Sequence, residues 1–142
     1  METPYTLALP KLNDYTRRNN VDLVQDLKFP TSLLDENMHL DPDFQHLTYG
    51  DNGKARGKGV ASLQKGDFIA FYAGLKPILP YSDRLMYALI GYYEVDKITW
   101  VNEIPPELKH INAHTRKKDP FPQDVVVHAN PEKSGKLKQC IP

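Results

Sequence analysis

The sequence predicts an α+β fold, a mixed β-sheet with short flanking helices, on three observations. Asp67–Ala73, Leu85–Val95 and Asp124–His128 are apolar runs rich in Val, Ile, Tyr and Phe, the composition of buried strands. Prolines gather between those runs, at Pro77, Pro80, Pro105, Pro106, Pro120 and Pro122, and favour stiff loops over long helices. The remaining helical signals are brief caps followed by only a few apolar positions.

In chain order, Tyr5–Leu9 reads as a short edge strand stopped by Pro10, and Asn13–Asn20 as a turn. Asn20 then caps a short helix whose Val21, Val24 and Leu27 share a face, ending at Lys28 before Pro30. Thr31–Leu47 has no clean period and reads as loop with at most short extended pieces. Gly50–Gly66 is rich in Gly, Lys and Arg and is expected to form a mobile surface loop. Asp67–Ala73 and Leu85–Val95 pair as a long-looped hairpin, with Gly91 marking a bulge or a close backbone approach. Pro105-Pro106-Glu107 opens a short helix carrying Leu108 and Ile111. Asp124–His128 is the third core strand, and Ser134-Gly135 makes a turn.

A chain of 142 residues suits one domain and buries a core without staples. Its formal net charge of +0 means that attraction to phosphate has to come from a local patch, which argues against a histone-like DNA coater. Cys140, the single cysteine, has no partner for an internal bridge, and no signal or membrane-spanning run occurs. A soluble cytoplasmic protein without membrane contact is the expectation.

The densest group of ligand-type side chains is His39-Leu-Asp41-Pro-Asp43-Phe-Gln-His46. Imidazole and carboxylate are ordinary ligands for zinc, manganese or iron. The spacing fits no standard motif, however, and aspartates around a proline commonly bond local amides, so a turn is preferred and no metal or other cofactor is expected. Lys54, Arg56 and Lys58 in the glycine-rich loop, with Arg116 and Lys117 further on, are candidate phosphate contacts. The loop lacks Walker spacing, which argues against nucleoside triphosphate hydrolysis.

An extruded base is held by stacking between aromatic rings while an amide or imidazole reads its edge. Tyr72 and Trp100 are the stacking candidates, and Asn112, His114, Asp41 and Asp43 the edge readers. Core packing competes for every aromatic in these strands, and a capped helix end competes for Asn112–Lys118. His128 reads as a satisfied core or edge histidine.

The order of blocks is informative. His39-Leu-Asp-Pro-Asp43-Phe, Gly59–Tyr72, Tyr87–Val95, Asn112-Ala-His114 and Asp124–Ala129 together resemble the third type of nucleotide-modification-associated domain. The central pair, Lys-Gly-Asp before an apolar-Phe-Tyr strand and then Ile-Gly-x-x-x-Val, is also similar to EVE, YTH and ASCH domains. That resemblance implies a mixed, barrel-like β-sheet with short flanking helices, PUA-like by analogy. It also implies recognition of a modified base in a DNA modification or restriction context, with DNA or a modified nucleotide as partner, or RNA. The usual glycine-rich opening is missing and family members generally continue past the equivalent of Pro142, which points to a short member or a fragment. Two other functions compete: an enzyme acting on a nucleotide or modified base through His39, Asp41, Asp43 and His114, and a protein-interaction module with no nucleotide site.

Overall fold

The computed structural model describes residues 31–33, 38–54, 57–75 and 85–142. Contacts divide the chain into two compact units, Met1–His39 with Lys76–Arg84, and Leu40–Leu75 with Leu85–Pro142. Of the first, the described residues include a 3-10 turn at Thr31–Leu33. The strand expected at Tyr5–Leu9 and the helix expected from Asn20 to Lys28 lie outside the described residues.

The second unit is built on a sheet. Its strands are β1 (Thr48–Asn52), β2 (Phe68–Leu75), β3 (Met86–Trp100), β4 (Asp124–Ala129) and β5 (Gly135–Ile141), in the order β1-β4-β3-β2 with β5 also on β3. Every pairing among them is antiparallel, so the described sheet is not the mixed sheet that was expected. It curls into a half-barrel. Helical content is also slighter than an α+β label implies: one four-residue α-helix, α1 (Lys58–Ala61), and 3-10 turns at Val101–Glu103 and Pro106–Ile111. No helix of the described residues is long and apolar enough to cross a membrane.

The three expected strands are present, and β2 and β3 form the expected antiparallel pair. β3 is longer than its apolar run and serves two parts of the sheet. Residues up to Glu94 pair with β2, while Val95–Trp100 pair with β4. The register shifts between Phe71 and Tyr72 because β3 carries an extra residue there: Phe71 faces Gly91 and Tyr72 faces Leu89. Ile90 and Gly91 both turn inward around this bulge, which reverses the facing of the strand beyond it. Tyr87 and Tyr92 therefore emerge on the same, outer face.

The inner face holds the main core. Phe71, Tyr93 and Ala129 are buried, with Phe44, Leu47, Tyr49, Ile69 and Ile90 packed on them. Rings meet edge-on, Phe71–Tyr93 at 4.8 Å and Phe44–Tyr93 at 5.6 Å between centroids, the arrangement their quadrupoles favour. Tyr93 satisfies its hydroxyl by donating to the Asp43 carbonyl at 2.9 Å. β4 is buried on both sides through Val125, Val126 and Val127, and Val126 joins Val101 and Ile104 in a second small cluster.

The stretch expected as a mobile loop is different in fact. Gly50–Asn52 belongs to β1 and pairs with Val126, Val125 and Asp124. Gly53 donates to the Gln123 carbonyl at 2.8 Å, and α1 follows. Glycine is there for close approach as much as for flexibility: a Cβ on Gly50 would lie 2.5 Å from Asn112 Oδ1 and 2.9 Å from His114 Cγ. The expected turn at Ser134-Gly135 leads directly into β5.

His128, on β4, departs from the satisfied histidine expected of it. Its Nε2 is buried without a hydrogen-bond partner among the described residues. Burial, with Lys97 adding to it and Asp96 opposing, holds its pKa below the ordinary 6.5. The unfolded chain therefore binds this proton more readily than the fold does. The stability contribution is complete above pH 6.5 and declines as pH falls from there through the lower folded value. Urea midpoints of wild type and His128→Asn are expected to diverge between pH 7 and pH 5, the wild type losing more. Parallel pH profiles would contradict this.

Candidate functional site

The segment after the 3-10 turn at Pro106–Ile111 is pinned against β1 by side chains rather than by regular backbone pairing. Asn112, fully buried, donates from Nδ2 to Thr48 Oγ1 at 3.2 Å and accepts the His114 N–H on Oδ1 at 2.8 Å. Thr48 in turn donates to the Ile111 carbonyl at 2.7 Å. These bonds set the His114 ring over Gly50, where no side chain intrudes.

His114 lies between two carboxylates. Its Nδ1 is 2.6 Å from Asp124 Oδ2, and its Nε2 is 3.3 Å from Asp41 Oδ2. Asp41 is fixed from behind, because its Oδ1 accepts the Gly50 N–H at 2.7 Å. Lys117 stands 3.3 Å from Asp124 Oδ2, on the Nδ1 side of the ring, and its ammonium also lies over the Phe121 ring. Exposure is low throughout, with the side chains of His114, Asp41 and Asp124 at 12%, 7% and 1%.

Two carboxylates, an imidazole and an ammonium in so little water are stable only as a balanced set. The His114 pKa is raised above 6.5. The hydrogen bond to Asp41 raises it most, burial works against it, the bond to Asp124 adds to it, and Lys117 opposes it. This cluster can hold a proton or a cation between Nε2 and the Asp41 carboxylate, with Asp124 fixing the ring.

Asp43 goes elsewhere, although only Pro42 separates it from Asp41, across a cis Asp41–Pro42 peptide bond. Its Oδ1 accepts the N–H groups of Gln45 and His46, each at 3.0 Å. Its Oδ2 is 2.9 Å from His46 Nδ1 and 3.7 Å from Arg116 Nη2. The His39–His46 run is thus not one ligand cluster: Asp43 and His46 pair with each other, and Asp41 turns to His114. His39 belongs to the other compact unit.

The other candidates scatter. Asn112 has both ends of its amide engaged within the protein and presents no edge to a ligand. Arg116 Nη2 lies 3.7 Å from Asp43 Oδ2 and Lys117 Nζ 3.3 Å from Asp124 Oδ2, so both cations face carboxylates within the protein. Lys54 and Lys58 are exposed, and Arg56 lies outside the described residues. Trp100 ends β3 opposite Val125 and beside Gly53, whereas Tyr72 faces Leu89, so the two serve separate stretches of that strand.

Tyr72 does have company. Phe68, Tyr72 and Tyr87 are each about two-thirds exposed, and Tyr92 about two-fifths. The register puts all four on the outer face of β2–β3, with Ala70 opposite Tyr92 and Gly74 opposite Tyr87. Phe68 and Tyr92 are 6.5 Å apart between centroids and tilted by 35°.

A family model described as nucleotide modification associated domain 3 matches residues 5–142. The chain belongs to the nucleotide modification associated domain 3 family. Neither a curated protein nor a solved structure matches it.

In this nucleotide modification associated domain Asp41, His114 and the Asn112 that positions the imidazole are legible in the sequence as polar candidates, but Asp124, Thr48 and Gly50 are not. Asp124 was legible only as the start of a strand. Its signal is a lone carboxylate heading the apolar run Val125-Val126-Val127, a place where a charge survives burial only with a partner. Thr48 and Gly50 carried no such signal.

Proposed function

We propose that this nucleotide modification associated domain binds nucleotides or single-stranded nucleic acid by stacking bases, a modified base among them, on the outer aromatic face of β2–β3. The observation that carries the reading is the set of four exposed rings, Phe68, Tyr72, Tyr87 and Tyr92, arrayed on one sheet face. Ala70, small and exposed, is interleaved with them opposite Tyr92, while the Leu85 side chain covers Gly74. Exposed rings of this number on one face are costly to keep in water, and stacking with bases is the interaction their geometry suits. The family's association with nucleotide modification supports the choice of ligand.

The test is fluorescence anisotropy with single-stranded DNA oligonucleotides carrying cytosine, methylcytosine or hydroxymethylcytosine, and with RNA of the same sequence. Stacking on one aromatic contributes about 1–3 kcal/mol, so Phe68→Ala and Tyr72→Ala are each expected to weaken binding roughly five- to 150-fold. Both positions are exposed, and melting temperatures should barely change. Negligible affinity for every oligonucleotide would reject the reading and leave the face to a protein partner.

A further inference from the structure

We propose that Asp41 Oδ2 and His114 Nε2 are two ligands of a divalent first-row metal site, of the zinc or manganese class, with Asp124 and the Gly50 amide orienting them. The case rests on separation and support. Two donors each about 2.1 Å from one ion, at angles between octahedral and tetrahedral, sit roughly 3.0–3.4 Å apart. The observed Nε2–Oδ2 separation, 3.3 Å, falls in that range and is longer than the about 2.7–2.9 Å of a strong charge-assisted N–H···O bond.

Support comes from behind both ligands. A metal-binding imidazole characteristically gives its other N–H to a carboxylate, which fixes the tautomer and aims the ring. Asp124 fills that position, 2.6 Å from His114 Nδ1 and 1% exposed. The Gly50 N–H holds Asp41 Oδ1 and presents the second oxygen toward the ring. Lys117 balances Asp124 on the Nδ1 side, so its charge stays on the far side of the ring from the proposed ion. Imidazole with carboxylate suits zinc, manganese and ferrous iron, and water would complete the coordination. This site is separate from the aromatic face and does not depend on it.

The full chain, stripped with a chelator and dialysed, is titrated calorimetrically with ZnCl2 or MnCl2 alone. One ion per chain is expected. Asp41→Asn and His114→Gln should each lower affinity at least ten-fold, and Asp124→Asn by about ten- to hundred-fold. Asp43→Asn, at a carboxylate bonded to His46 instead, should leave affinity unchanged. If a variant fails to fold, substoichiometric Mn2+ added to the wild type should broaden the His114 imidazole resonances before those of His46 or His128. Absence of stoichiometric binding, equal affinity in all variants, or broadening centred on another histidine would overturn the site. None of these readouts involves nucleic acid, and Tyr72→Ala should keep the ion, so this site and the stacking face can fail separately.

Discussion

Asp124→Ala is expected to cost about 3–5 kcal/mol of folding stability, the range for removing one partner of a buried ion pair. Asp124 is nearly inaccessible, accepts from His114 Nδ1 at 2.6 Å and lies 3.3 Å from the Lys117 ammonium. Removing its carboxylate leaves a buried imidazole and an ammonium facing each other at 3.5 Å without the charge that separates them. Asp124→Asn keeps an acceptor but not the charge, and should fall between the alanine variant and wild type. Chemical denaturation followed by circular dichroism checks both. A loss below about 1 kcal/mol for the alanine variant would mean that the cluster is solvated like a surface salt bridge.

What the sequence made legible divides along a physical line. β2, β3 and β4 are readable because their apolar runs are buried by any sheet that includes them. β1 is not, because Thr48-Tyr-Gly-Asp-Asn52 has the composition of a turn. It is a strand because Gly50 admits the His114 ring and Asn112, a requirement imposed from more than sixty positions away in the chain. β5 escapes notice for a different reason: Gly-Lys-Leu-Lys-Gln-Cys-Ile is mostly exposed and has little apolar surface to bury, although it pairs with β3 at Leu89, Gly91 and Tyr92.

The candidate site follows the same rule. Local chemistry identified Asp41 and His114 as ligand-type residues. It had no means of separating Asp41 from Asp43, which differ in which oxygen finds which long-range partner. Nor did it separate the basic triplet's members: Arg116 and Lys117 face buried carboxylates, while Lys118 is exposed. The stacking face was partly readable. Tyr72 is legible there, and Phe68 shares its face by simple alternation along β2, but Tyr87 and Tyr92 lie on one face only because the bulge at Ile90–Gly91 resets the facing of β3.

That bulge is the basis of the other large expected effect. Gly91→Val should destabilise the fold by about 2–3 kcal/mol or more, as overpacking of a filled core does. A Cβ at Gly91 would lie 2.5 Å from Phe44 Cζ and 2.8 Å from the Gly135 carbonyl oxygen. The Phe44 ring has little room to yield, since it is held edge-on by both Phe71 and Tyr93. The Gly135 oxygen is backbone at the start of β5, so relief on that side requires β5 to move off β3. Gly59 provides the control. It lies in α1 with nothing within 4 Å of a built Cβ, and Gly59→Ala should be neutral or stabilising by up to about 1 kcal/mol. Amide hydrogen exchange would show where Gly91→Val acts: protection should fall first along β5 and the facing part of β3 while β1 and β4 stay protected. Uniform loss across all five strands would instead make β5 an integral part of one cooperative sheet, with the bulge affecting the whole of it rather than its outer face alone.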